Sequence, residues 1–302
     1  MIQTVKGPIN QKILGITMCH EHLAMDLSRI RGDDDSDFSC EDTIIEEIRA
    51  MMKYGVKSLV EVTTNDMGRD VKQLFRISEA CGLNIVCSTG FYLEQYHPKS
   101  IAESEPKQIC DIFLHDIQLG IAGTEIKAGI IGEVASSMNE ITKGEEIVLK
   151  GAAKASVVTA VAVTTHCHFG TMAIEQARLL VNEGMNPDKI ILGHLDLADD
   201  RDYYAEVLKT GVNIGFDTIG KTSYLSDEKR ADNLMWLIDK GYEDKIILSQ
   251  DISRKSYFSC KGTHSGYMSV MKDFVPLLLN RGINQEILNK LLQNNPARIL
   301  NF

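Results

Sequence analysis

Ile13-Leu14-Gly15-Ile16-Thr17-Met18-Cys19-His20-Glu21-His22 is an apolar run that stops on His-x-His. Its apolar part, Ile13 to Cys19, reads as a buried strand. Seven further runs share that character: Ser58 to Thr63, Ile85 to Thr89, Ala128 to Val134, Val158 to Thr165, Ile190 to Gly193, Val212 to Phe216 and Ile246 to Ser249. They are rich in Val and Ile and lack the polar alternation of a sheet with one wet face. Helical periodicity lies between most of them, as in Glu41 to Tyr54, Ala173 to Val181 and Lys229 to Ile238. Eight strands alternating with helices predict a (β/α)₈ TIM barrel rather than an open doubly wound sheet. No Gly-rich fingerprint follows the first strand, which counts against a dinucleotide fold. A helical pair around Ser269 to Leu279 and Gln285 to Gln293 closes the chain.

The chain has 302 residues, a length that suits one barrel domain over 1–302. Its 42 acidic against 32 basic residues give a net charge of -10, which disfavours nucleic acid and anionic membranes as partners. No apolar run is long enough for a membrane span, and no signal peptide is visible. Seven cysteines without CxxC spacing fit reduced thiols in a cytoplasmic protein. The acidic run Asp33-Asp34-Asp35-Ser36-Asp37 reads as a solvated loop. A calcium site is the other reading there, but an EF-hand's terminal Glu is missing.

Barrel enzymes keep their chemistry at the C-terminal ends of the strands. There this chain places His20 and His22, Glu133, His166, His194 and Asp251. Side chains alternate along a strand, so His20 and His22 point one way and Glu21 the other. Two such imidazoles can share one divalent ion at about 2.0–2.1 Å each. Glu133 has two oxygens and is the candidate bridge between two ions. Asp251 can ligate one ion and accept a proton from a bridging water. A bound metal draws the pKa of that water from about 15.7 towards about 7, and two metals roughly 3.5–4 Å apart clamp a substrate oxygen while hydroxide attacks. Zn, Mn, Co and Fe all suit this ligand set. Each residue alone has a bland role: a satisfied strand-end His, a buried salt-bridge Glu, a helix-capping Asp. Their convergence at one mouth favours the metal reading.

The segments Gly15-Ile16-Thr17-Met18-Cys19-His20-Glu21-His22, Val163-Thr164-Thr165-His166, Ile191-Leu192-Gly193-His194 and Phe216-Asp217-Thr218-Ile219-Gly220-Lys221 resemble the phosphotriesterase family of the amidohydrolase superfamily, nearest its phosphotriesterase homology branch. The likeness is collinear from about Gly7 to Asn295-Pro296. It implies a distorted barrel with a binuclear divalent site, usually two Zn²⁺ ions. By position, His20, His22 and Asp251 hold the more buried metal and His166 and His194 the more exposed one. Phosphotriesterases bridge their metals with a carboxylated lysine at the end of strand four, where this chain has the shorter Glu133. Lys127, on the same strand face but far from the C-terminal end, is an outside candidate for that bridge.

Lys221 and Tyr224 follow strand seven, and Arg254 and Tyr257 follow Asp251. An Arg here can fork onto a phosphate or carboxylate while Tyr257 adds a hydroxyl. The loop resembles those that grip phosphate in lactonases acting on phosphorylated sugar lactones. The alternative is that Arg254 or Lys221 simply pairs with a carboxylate such as Asp217 or Asp227. Tyr92 either reaches the metals or substrate, or packs as a core aromatic. The function expected is metal-dependent hydrolysis of a small anionic ester or lactone. An organophosphate esterase is the alternative, and a non-catalytic metal-binding protein the lesser one. Many barrels dimerise, so a homodimer is one expectation, though the sequence identifies no apolar stripe for it.

Overall fold

A computed structural model describes residues 1–302. Eight parallel strands run in chain order: β1 Ile16–Glu21, β2 Val56–Glu61, β3 Asn84–Thr89, β4 Ile130–Ser136, β5 Val163–Cys167, β6 Ile190–Gly193, β7 Asn213–Phe216 and β8 Ile246–Leu248. A short antiparallel hairpin, Ile2–Thr4 with Gly7–Ile9, precedes them. Helices α1 Glu41–Met52, α2 Val71–Cys81, α3 Pro106–Gln118, α4 Lys143–Thr159, α5 Ala173–Asn182, α6 Arg201–Leu208 and α7 Asp227–Asp239 surround the strands. This is a (β/α)₈ barrel. No helix is long and apolar enough to cross a membrane, and all seven cysteines are unpaired.

The strands are buried on both faces, which explains their continuous apolar runs. One face packs outward against the helices. The other forms a small inner cluster with Val60, Val86, Ile130, Ile191 and Ile247, and Ile2, Leu14, Ile299 and Leu300 belong to the same cluster.

Three irregularities interrupt the parallel register, one at Ile16–Thr17 and one at each of two candidate ligand positions. Met18 and Glu21 on β1 pair with Leu59 and Glu61 on β2, so β1 holds one extra residue. Ile131 and Val134 on β4 likewise pair with Val163 and Thr165 on β5. An extra residue lets two consecutive side chains face the same way. Gly132 sits in the β4 bulge at φ 134°, and a Cβ there would lie 2.2 Å from the Thr164 carbonyl oxygen. Only glycine fits, and Glu133 follows it towards the mouth.

Glu21 points away from His20 and His22, as alternation requires, and closes the barrel between β8 and β1. Its buried carboxylate accepts from Ser249 Oγ (2.5 Å), Gln250 N (3.0 Å), Gln250 Nε2 (2.8 Å) and Ile252 N (3.0 Å). The Asp251 N–H donates to the His20 carbonyl at 3.2 Å across the same seam. Glu21→Ala strands these donors in the core. The expected cost is about 3 kcal/mol or more, seen as a drop of several degrees in thermal unfolding. An unchanged melting temperature would show that the seam does not depend on Glu21.

Two sequence expectations need correction, the start of β5 and the acidic run. Val158 and Thr159 end α4 rather than open a strand, and β5 starts only at Val163. Val157 and Val158 lie exposed on the helix's outer side, so the apolar run crosses a helix end, a turn at Ala160 (φ 61°) and the strand. The C-terminal helical pair is present where expected and contains wide turns at Ser269–Phe274 and Lys290–Asn294, each just before Pro276 or Pro296. Proline has no N–H to close an ordinary helical turn there. The acidic run is a clasp rather than a free loop. Asp33 and Asp35 meet Arg254 at 3.4 and 3.6 Å, and Asp35 accepts from Ser256 N and Oγ at 2.7 Å each.

Candidate metal centre at the barrel mouth

Six side chains from five strand ends meet around one carboxylate. Glu133 Oε2 lies 3.3 Å from His20 Nε2, 3.2 Å from His166 Nδ1 and 3.7 Å from His194 Nε2. Its Oε1 lies 3.5 Å from His22 Nε2, which in turn is 3.3 Å from Asp251 Oδ1. All six residues are buried. Those expected at this mouth from the sequence are therefore together.

The donor set fits divalent cations. His20, His22 and Asp251 form one group, and His20, Glu133 and His194 another, with ligand atoms within 4.8 Å of one another in each. Both ring nitrogens of His20 and Oδ2 of Asp217 are buried without a hydrogen-bond partner. Burial alone raises a carboxylate pKa, but here it is outweighed. Lys221 and His22 hold Asp251 well below the usual range, and His20 with His166 does the same for Glu133. Burial and the neighbouring His194 push His166 down to about 4. Anionic carboxylates and a neutral His166 at pH 7 are forms that bind metal. Against burial, Asp251 and Glu133 raise His22 to about 9 and Asp217 raises His194 well above its usual range, so a cation entering there displaces protons.

A second layer holds the imidazoles in place, and it was not evident from the sequence. Asp217 accepts from His194 Nδ1 at 2.8 Å and faces His20 Nδ1 at 3.4 Å. A Cβ on Gly215 would fall 2.3 Å from Asp217 Oδ2, so the close approach needs glycine. His22 Nδ1 meets Thr63 Oγ1 at 2.9 Å, and Thr63 donates onward to Glu61. His166 Nε2 meets His168 Nδ1 at 3.0 Å.

Above the cluster opens a pocket of about 160 Å³, lined in part by Arg31, Tyr92, His168, Lys221, Arg254 and Tyr257. Lys221 Nζ bonds Asp251 and, at 3.1 Å, Ser253 Oγ, and lies 5.3 Å from the Tyr257 ring centre. Both cations do pair with carboxylates, as the alternative reading had it, but Lys221 takes Asp251 and Arg254 takes Asp33 and Asp35 rather than Asp217 or Asp227. Asp217 serves His194, and Asp227 pairs with the buried Arg230 at 2.9 Å. Tyr92 is both core and site: it is buried, with its hydroxyl 3.3 Å from His166 Nδ1. Burial pushes that phenol well up, so it stays protonated. Arg31 carried no sequence signal because it ends a one-turn helix, Ser28–Arg31, between β1 and α1, away from any strand end. Lys127 precedes β4 at the opposite end of the barrel, where its carbonyl meets Cys87 Sγ at 3.4 Å. It is not part of the cluster.

A parallel eight-stranded barrel with imidazoles and carboxylates gathered at its C-terminal mouth is the architecture of a barrel metalloprotein. The chain belongs to the phosphotriesterase family, whose model matches residues 1–300. It is similar to the phosphotriesterase homology protein of Escherichia coli K12, 35% identical over 284 residues, covering 94% of this chain and 97% of that protein. A crystal structure of the Escherichia coli phosphotriesterase homology protein with phosphate in its active site aligns with a TM-score of 0.93, over 96% of this chain and 99% of that one. An aryldialkylphosphatase of Saccharolobus solfataricus is 32% identical, covering 97% of each chain. A phospho-furanose lactonase of Mycoplasmopsis synoviae is also 32% identical, covering 99% of this chain and 91% of its own length.

Proposed function

We propose that the chain is a metal-dependent hydrolase of small anionic esters or lactones, with a phosphorylated sugar lactone as the favoured substrate. One barrel domain over 1–302 carries the site. His20, His22 and Asp251 would hold one divalent cation and His166 and His194 a second, with Glu133 within reach of both groups, and zinc is the favoured ion. When bound, such cations acidify water and polarise a carbonyl oxygen. The protein's own groups do the rest. Asp251, kept anionic by Lys221, accepts the proton that leaves the attacking water. Lys221, Arg254 and Arg31 draw the substrate's anionic group into the pocket, and Tyr257 adds a hydroxyl. Tyr92 donates its O–H beside His166.

The observation carrying this reading is the pocket wall, where Arg31, Lys221 and Arg254 line about 160 Å³ in a protein of net charge -10. Lys221 is held there by Asp251 and Arg254 by Asp33 and Asp35, so that each keeps donors for an anion while part of its charge is already met. A neutral phosphotriester gains nothing from them, whereas a phosphate monoester gains charge-assisted hydrogen bonds. The relative from Mycoplasmopsis synoviae supports the same class. The Saccharolobus solfataricus relative favours organophosphate esters as the second reading.

Metal-loaded protein assayed on phosphorylated lactones, plain lactones, phosphodiesters and phosphotriesters separates the two. The phosphorylated lactone is expected to exceed its unphosphorylated counterpart in kcat/KM by about 10²-fold, roughly the value of one or two charge-assisted bonds. Turnover of phosphotriesters alone would reject the proposal. Arg254→Met is expected to raise KM for the phosphorylated substrate about tenfold and to leave plain lactones unaffected. Equal effects on both would remove Arg254 from anion recognition.

A further inference from the structure

Strand β5 ends on His166-Cys167 and His168 opens the turn that follows, the spacing of His20 and His22 at the end of β1. The two pairs behave differently. His20 and His22 each reach Glu133, whereas only His166 of the second pair does. His166 turns Nδ1 inward, 3.2 Å from Glu133 and 2.9 Å from His194 Nε2. Its Nε2 faces His168, whose Nδ1 is 3.0 Å away with the rings tilted 37° and centred 5.3 Å apart. His168 therefore aims its near nitrogen at His166 rather than at the carboxylate.

Thr63 Oγ1 hydrogen-bonds the outward nitrogen of His22 and Asp217 that of His194, while Asp217 Oδ2 lies 3.4 Å from His20 Nδ1 without a hydrogen bond. His166 Nε2 has the Tyr92 hydroxyl at 3.4 Å and the His168 imidazole nearer, at 3.0 Å, and it alone is backed by an imidazole. A histidine ligand needs its second nitrogen protonated and tied down, because that fixes which nitrogen keeps the lone pair and how the ring is turned. We propose that His168 is the positioning residue for His166. Its Nδ1 accepts the Nε2–H of His166, which leaves the Nδ1 lone pair of His166 pointing at the cation position. A neutral imidazole is a weaker acceptor than a carboxylate and lends His166 less basicity than Asp217 lends His194. The cation at His166 and His194 is accordingly the more weakly held of the two.

This inference rests on reading the cluster as a cation site, and the test keeps the two apart. Full-length protein is titrated with Zn²⁺ against a chromophoric chelator, and with Co²⁺ to follow its visible bands. In the parent protein the expected result is two ions, one weaker than the other. His168→Ala is expected to lose about 10–100-fold in affinity for the weaker ion only, with a changed Co²⁺ spectrum for that ion. His168→Asn places an oxygen where Nδ1 was and is expected to recover most of that affinity, whereas His168→Gln is not. Thermal unfolding of each variant guards against a general loss of structure. Unaltered affinity for both ions in His168→Ala would overturn the positioning role and leave the cation site standing. Failure of Asn to rescue, with the fold intact, would also overturn it. A parent protein that takes up no ion would overturn both.

Discussion

Asp251→Asn is expected to lower kcat/KM of the metal-loaded protein by about 10³-fold or more, with its circular dichroism spectrum retained. The change is nearly isosteric, so the effect falls on charge. Asp251 is placed 3.3 Å from His22 and bonds the Lys221 ammonium, which keeps the carboxylate anionic despite burial. An amide accepts no proton and is a poor cation ligand. It also leaves Lys221 as a buried charge without its anion, so a modest fall in thermal stability accompanies the loss. A variant that keeps turnover within threefold of the parent, an arbitrary margin of about 0.7 kcal/mol, would remove Asp251 from the chemistry.

Glu133→Ala is expected to abolish stable uptake of at least one ion per chain, with affinity falling by more than the ~10–100-fold typical of an outer-layer partner. Glu133 is the one carboxylate within reach of all four imidazoles, at 3.2 to 3.7 Å. Without it nothing anionic lies between the two groups of ligands, and cations at both positions would repel each other unscreened. Metal content measured after gel filtration, parent against variant, decides the matter. Two tightly held ions in Glu133→Ala would show that Glu133 is not shared.

The barrel and its mouth were legible because each rests on a local pattern. Strands buried on both faces read as continuous apolar runs, and alternation along β1 put His20 and His22 together with Glu21 opposed. The Glu21 carboxylate bonding Ser249 and Gln250 is the other half of that pattern. What stayed hidden depends on contacts between distant segments. The bulge at Gly132 and Glu133 is a matter of register against β5, which no local rule encodes. Lys221 and Arg254 were visible as cations, but their partners, Asp251 and the Asp33–Asp35 clasp, come from other loops. Asp217 was visible at a strand end, yet its service to His194 depends on the close approach at Gly215. His168 has the same spacing from His166 as His22 has from His20, but it falls one residue past β5, in a tight turn, where no strand-end pattern marks it.

Anomalous diffraction from crystals of the zinc-loaded chain, recorded on both sides of the zinc absorption edge, probes the metal centre itself. Two edge-dependent peaks are predicted inside the barrel mouth, one bounded by His20, His22 and Asp251, the other by His166 and His194, with Glu133 between them. Zinc found only at the surface, or a mouth with no such peak in a crystal that contains the metal, would contradict the assignment.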